Sequence, residues 1–114
     1  MAKAGDYDFY CEEALVNKDQ LEVEYESPTV IAFHHTRPIA TTHIVVIPKE
    51  HIHDLRYMDT PEREGVLLEI MKVARDILKK IDVDTEGGRI VTNLGAFQDT
   101  PHLHVHIIAG EALR

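Results

Sequence analysis

The chain has no tryptophan, a single cysteine and fewer basic than acidic residues, with 12 Lys and Arg against 20 Asp and Glu for a net charge of −8. Each shortage excludes something. Cys11 alone can form neither an internal disulfide nor a four-cysteine zinc site. An acidic balance argues against non-specific nucleic-acid binding, which needs a basic face to displace counterions. It leaves room for a small phosphate ligand held at a local site, and the acidic surface itself reads as a solubility feature. No segment approaches the roughly 20 apolar residues of a membrane span. Met1 to Asp6 lacks the apolar stretch of a secretory signal, so the expectation is a cytosolic protein with no membrane partner. Without repeats, low-complexity runs or Gly/Ser linkers, the 114 residues read as a single domain over 1–114. A core of that size is modest, and a second copy is a natural source of further stability.

Aromatics are also few, and residues 6–18, which hold several of them, have room for a short helix. Leu21 to Tyr25 alternates apolar and polar residues, the period of a half-buried strand. Ser27 and Pro28 signal a turn, and β-branched and aromatic residues from Thr29 to Phe33 make the returning strand. Thr36 to Thr42 reads as a loop broken by Pro38, and Ile44 to Ile47 as an apolar strand closed by Pro48. One long helix starts at Thr60 and Pro61, a cap and a first-turn residue. Its apolar stripe is Leu67, Ile70, Met71, Ala74, Ile77, Leu78 and Ile81. After Gly87 and Gly88 come a strand over Arg89 to Leu94, a loop over Asn93 to Pro101 and a last strand over His102 to Ile108. Short connections favour antiparallel pairing, so the fold class is α+β: an antiparallel sheet of about five strands, one long helix and a short N-terminal helix.

Histidine is the compositional excess, with eight residues. His102, His104 and His106 alternate with Leu103 and Val105, followed by Ile107 and Ile108. On a strand the three imidazoles share one face, roughly 7 Å apart from Cα to Cα, while Leu103, Val105 and Ile107 enter the core. Three titratable rings on one face have few bland explanations, because charging all three is penalised. Two readings of the residues stay open: a metal site, since imidazole is a common nitrogen ligand, and nucleophilic catalysis by a neutral imidazole. For catalysis one ring nitrogen keeps its proton, held by an acceptor such as a backbone carbonyl, and the other attacks. His104 is flanked on both sides and is the natural nucleophile toward phosphorus. Its neighbours donate hydrogen bonds to the phosphoryl oxygens and the leaving group. Asn93 and Gln98 offer amide donors, and His43 stands at the mouth of another strand.

The stretch from Thr42 through Ile47, Pro48 and Lys49 to His51, together with Gln98 and the run His102 to Ile108, resembles the histidine-triad family of nucleotide-binding proteins. The likeness extends from about Asp8 to Gly110. It implies a homodimer that binds a purine nucleotide and acts at the α-phosphate through a nucleotidyl-histidine intermediate. The substrate would be a nucleoside phosphoramidate or a dinucleoside polyphosphate. By the same resemblance His104 is the nucleophile, and His102 and His106 contact the phosphate and leaving group. His43, Asn93 and Gln98 match further site positions, and Phe9, Tyr10, Phe33 and His34 match the surroundings of the base.

This chain departs from the family pattern at three places. His35 stands where many members have a ribose-binding aspartate. Asp99 stands where many have Ser or Thr, and Phe97 replaces a glycine. These departures motivate the alternative of a non-catalytic nucleotide-binding module, and a third possibility is direct metal binding by the triad. Some relatives hold a structural zinc on two cysteines and histidines. The matching residues here are Asp8, Cys11, His51 and His102, all allowed zinc ligands but with one thiolate missing. No cofactor is required by the reaction, and a structural zinc is not expected.

Overall fold

A computed structural model describes residues 10–114. Five strands form one antiparallel sheet: β1 (Val23–Glu26), β2 (Val30–His34), β3 (Ala40–Pro48), β4 (Gly88–Thr92) and β5 (Val105–Ala112), in the order β1-β2-β3-β5-β4. The long helix α1 (Pro61–Leu78) and a single turn α2 (Val83–Glu86) connect β3 to β4. The expected α+β architecture is the one observed. The short N-terminal helix is a π-helical turn, Tyr10–Ala14, followed by a 3-10 turn, Lys18–Gln20.

Strand alternation divides the interior in two. Val30, Ala32, Ile44, Val46, Val105 and Ile107 project to one side and meet Ile70, Val73, Ala74 and Ile77 of α1. Ile31, Phe33, Val45 and Ile47 project to the other and meet Tyr10 and Ala14. Thr60 caps α1 by accepting from the Arg63 amide at 3.3 Å, and Pro61 takes the first helical position, where a missing N–H costs nothing. Glu69 of α1 ties the helix to the first hairpin, accepting from the hydroxyls of Tyr25, Ser27 and Thr29, each at 2.6 Å.

Several elements differ from the sequence reading for physical reasons. Val23 to Glu26 is exposed throughout. A bulge between Val23 and Tyr25 sets Val23 beside Phe33 and Tyr25 beside Ala32, so the two residues point to opposite faces of an edge strand. Met71 is 43% exposed, and Val73 takes the core position assigned to it. α1 stops at Leu78, leaving Ile81 packed from the following turn. β3 begins four residues before the expected Ile44, because Ala40 and Thr42 already pair with β5. β4 ends at Thr92, and the loop after it contains a 3-10 turn, Gly95–Phe97.

The last strand departs most. It starts at Val105, so His102 and His104 precede it. Pro101 supplies no N–H, and the next amides turn elsewhere: His102 N–H bonds the Thr100 carbonyl and Leu103 N–H the Ile52 carbonyl. The alternation of faces nevertheless persists, since Leu103, Val105 and Ile107 are all in the core against α1.

Candidate active site

The face opposite α1 collects the chemistry. Val45 pairs with His106, Phe33 with Val45, and His43 lies two residues before Val45, so all of these project to one side. His104 and His106 meet edge to face with ring centroids 4.8 Å apart, and Tyr10 packs its ring 5.1 Å from His104 and 5.6 Å from His102. His35 stacks on His43 at 4.2 Å with 14° between the planes.

Backbone groups set the tautomers. His104 Nδ1 lies 2.7 Å from the His102 carbonyl. A carbonyl only accepts, so Nδ1 carries the proton and, in the neutral ring, Nε2 carries the lone pair. Thr92 Oγ1 donates to the His104 carbonyl at 2.9 Å and fixes the main chain there. A second chain runs through His43. The Ile39 amide donates to His43 Nδ1 at 3.1 Å, which places the His43 proton on Nε2, 2.9 Å from His106 Nδ1. His106 then accepts on Nδ1 and presents Nε2–H as a donor. Burial, with the neighbouring His35 second, pushes His43 down to about 4. Burial, followed by His104, His43 and His35, pushes His106 down to about 3. Both rings are neutral at pH 7, as this relay of donors and acceptors requires.

Two clefts flank these rings. One, about 440 Å³, is walled by Tyr10, Phe33, Thr36 and His104. The other, about 460 Å³, is lined by His43, Val91, Asn93, Ile108 and Arg114. His35, Arg37, Asp99 and His106 border both. His104 is only 4% exposed yet lines the first cleft, so its ring is reached from that side.

The other expected site residues fall less uniformly. Asn93 and Asp99 line the clefts, with Asp99 exposed at the rim. His34 does not join them. It follows Phe33 on β2, so it projects to the α1 side, where it pairs with Glu24 at 2.6 Å and Glu22 at 3.4 Å. Gln98 is buried and donates its amide to the His53 carbonyl at 2.5 Å, away from both clefts. Its Oε1 has no hydrogen-bond partner among the described residues. Phe9 and Asp8 lie outside the described residues. Sequence reasoning did not single out Arg37, Arg114 or the Ile39 amide. The two arginines sit in irregular or terminal segments without a pattern, and a backbone N–H leaves no mark in a sequence.

His102 is fully buried and turned away from the clefts. Its Nε2 donates to the Pro48 carbonyl at 2.8 Å, so Nδ1 of the neutral ring carries the lone pair, 3.3 Å from Cys11 Sγ. His51 Nδ1 lies 3.7 Å from the same sulfur. One ligand atom from each of Cys11, His51 and His102 lies within 4.8 Å of the others, which is three of the four ligands of a structural zinc site. His35, His43 and His106 also converge. A metal there conflicts with the tautomers, because binding through His43 Nε2 moves its proton to Nδ1, against the Ile39 N–H.

The geometry defines an α+β domain in which two histidines of the run, His104 and His106, line clefts on the face of the sheet opposite α1, with His102 buried beside them. A HIT-domain family model matches residues 17–113. A HIT-like protein of Azospirillum brasilense is 34% identical over 98 residues, covering 84% of this chain and 77% of its own length. Among solved structures, a HIT family hydrolase from Clostridium thermocellum superposes with a TM-score of 0.78 at 28% identity, covering 96% of this chain and 95% of that one. A histidine triad protein from Clostridium difficile gives 0.75 at 30% identity, with 94% and 93% covered. The chain belongs to the histidine-triad (HIT) family.

Proposed function

We propose that the protein is a nucleotide hydrolase or nucleotidyl transferase that acts at the α-phosphate of a purine nucleoside phosphoramidate or dinucleoside polyphosphate. The observation that carries this reading is the His104 Nδ1–H bond to the His102 carbonyl, which leaves the Nε2 lone pair as the attacking group. Nε2 forms a bond to the α-phosphorus as the bond to the leaving group breaks. The leaving group departs with that electron pair and takes up a proton. The ring now carries positive charge, and its Nδ1–H bond to a carbonyl stabilises it. Water then attacks phosphorus, the P–N bond breaks and His104 regains its lone pair. The proton released by water balances the one the leaving group took.

His106 donates Nε2–H to a phosphoryl oxygen, held in that role by His43 and the Ile39 amide. Tyr10 and Phe33 give the first cleft the apolar walls that suit a purine. No metal enters either step, because imidazole and guanidinium donors meet the developing charge. A second copy fits the β4 edge of the sheet, where Ile90 is 41% exposed and borders a groove shared with Met71, Leu78 and Val83. Rapid quenching into alkaline denaturant, in which a P–N bond survives, during turnover of a labelled adenylated substrate tests the mechanism. The expected result is label retained on His104 by peptide mass spectrometry, and its absence under conditions of rapid turnover would overturn the covalent route.

The departures at His35 and Asp99, and the position of Gln98, favour one rival: a module that binds a nucleotide without turning it over. Binding of AMP without hydrolysis of any adenylated amine or polyphosphate would decide for that rival.

A further inference from the structure

The cleft beyond His106 offers hydrogen-bond donors almost exclusively. His35 accepts the Arg37 amide on Nδ1 at 2.9 Å, so its proton sits on Nε2. Burial, then His104, lowers its pKa, and stacking on His43 at 4.2 Å fixes the ring plane. His35 is thus a rigid neutral donor, where a ribose-binding group would have to accept from hydroxyls. His106 Nε2–H is a second donor, and the Asn93 amide supplies more. Arg37 and Arg114 add two guanidiniums. The Arg37 side chain has no ion pair among the described residues. Among the described residues Arg114 spends only Nε, on the Pro38 carbonyl at 2.9 Å. Asp99 is the one acidic side chain lining this cleft among the described residues, against those two guanidiniums. Two guanidinium side chains against one acidic side chain set this cleft apart on a chain of net charge −8.

We infer that this cleft is the leaving-group subsite and that Arg37 and Arg114 select leaving groups carrying phosphate over cationic amines. The inference rests on the proposed reaction and narrows its substrate class to nucleotide anhydrides such as dinucleoside polyphosphates. The positions agree with an in-line displacement. His104 borders the Tyr10 cleft and not this one, and His106 separates the two. A phosphorus atom beside His106 therefore has the nucleophile on one side and Arg114 on the other, with Arg37 bordering both. A planar guanidinium fork matches two phosphate oxygens at once, which a point charge does not.

The experiment compares kcat/KM for diadenosine tetraphosphate and for the AMP amide of lysine. It uses the full chain and the variants Arg37→Ala, Arg37→Lys and Arg37→Ala/Arg114→Ala. Both arginines are exposed, so folding is not at stake. The wild type should prefer the tetraphosphate. The ratio of the two values should fall by about 10- to 100-fold in Arg37→Ala, the scale of one charge-assisted bond, and further in the double variant. Arg37→Lys should recover part of the ratio. A ratio unmoved by the double variant overturns the inference, as does a wild type that turns over only the lysine amide, and both leave the proposed chemistry standing. If neither compound, nor any other adenylated substrate, is turned over while AMP still binds, the parent reading fails first.

Discussion

His43 Nε2 sits 2.9 Å from His106 Nδ1, and the Ile39 amide behind His43 decides which of the two rings donates. The arrangement works only while both rings are neutral, and this gives the fold a pH signature. His43 at about 4 and His106 at about 3 lie below the ordinary value of 6.5, so below pH 6.5 the unfolded chain binds protons that the native state refuses. The groups facing them, His35 and His104, are imidazoles and supply no counter-charge. Stability should fall on acidification from pH 6.5 to 4, by about 1.4 kcal/mol per pH unit for each fully shifted group. Asp54, held at about 2 by the Arg56 guanidinium, adds a further loss only from 3.8 downward. Urea midpoints measured across this range check the slope, which His43→Gln should reduce.

Replacement of the nucleophile separates binding from chemistry. In His104→Asn, turnover should drop to background while AMP still binds, measured by calorimetry beside steady-state kinetics. His106→Ala should lower kcat by about 100-fold with a smaller effect on KM, the scale of one lost donor to developing charge. Undiminished turnover in His104→Asn excludes that residue as the nucleophile.

Metal removal is a second discriminator. Protein stripped with a chelator should retain its turnover per folded molecule, since no donor in the proposed steps is a metal. The Cys11, His51 and His102 group is the place where chelation would register, as a shift in Tm and not in kcat. Loss of kcat at constant fold, restored by zinc, contradicts the metal-free route.

Gly110 provides a test of the pairing between β3 and β5. Its φ is +86°, at the bulge where β5 gains a residue against Ala40 and Thr42 of β3. A Cβ built there would stand 1.9 Å from Thr41 Oγ1. Gly110→Ala should cost at least about 1–2 kcal/mol for the left-handed backbone, with the clash in addition. Adding Thr41→Ala should relieve the clash and leave the backbone cost, which thermal melts of the two variants resolve.

Much of this organisation was legible in the residues themselves. The Thr60 and Pro61 start of α1 and the core side of Leu103, Val105 and Ile107 follow from caps and alternation. So does the acceptor behind His104, once a neutral nucleophile is required. Alternation failed at Val23 and Tyr25 because a bulge is invisible to a period of two. Alternation also sends His34 to the face opposite its neighbour Phe33, against the position that the resemblance implies. The motif position of Gln98 implies a phosphate contact, and local packing turns its amide to the His53 carbonyl instead. Arg37 and Arg114 line one cleft although 77 residues separate them in sequence, because β3 and β5 lie side by side.

The sheet also works as a partition. Because α1 and its apolar partners lie wholly behind it, a reporter group on the outward side of that helix, at Lys72 for instance, would follow unfolding while remaining insulated from His104 and His106. Fold loss and chemistry can then be read on the same molecule by separate signals.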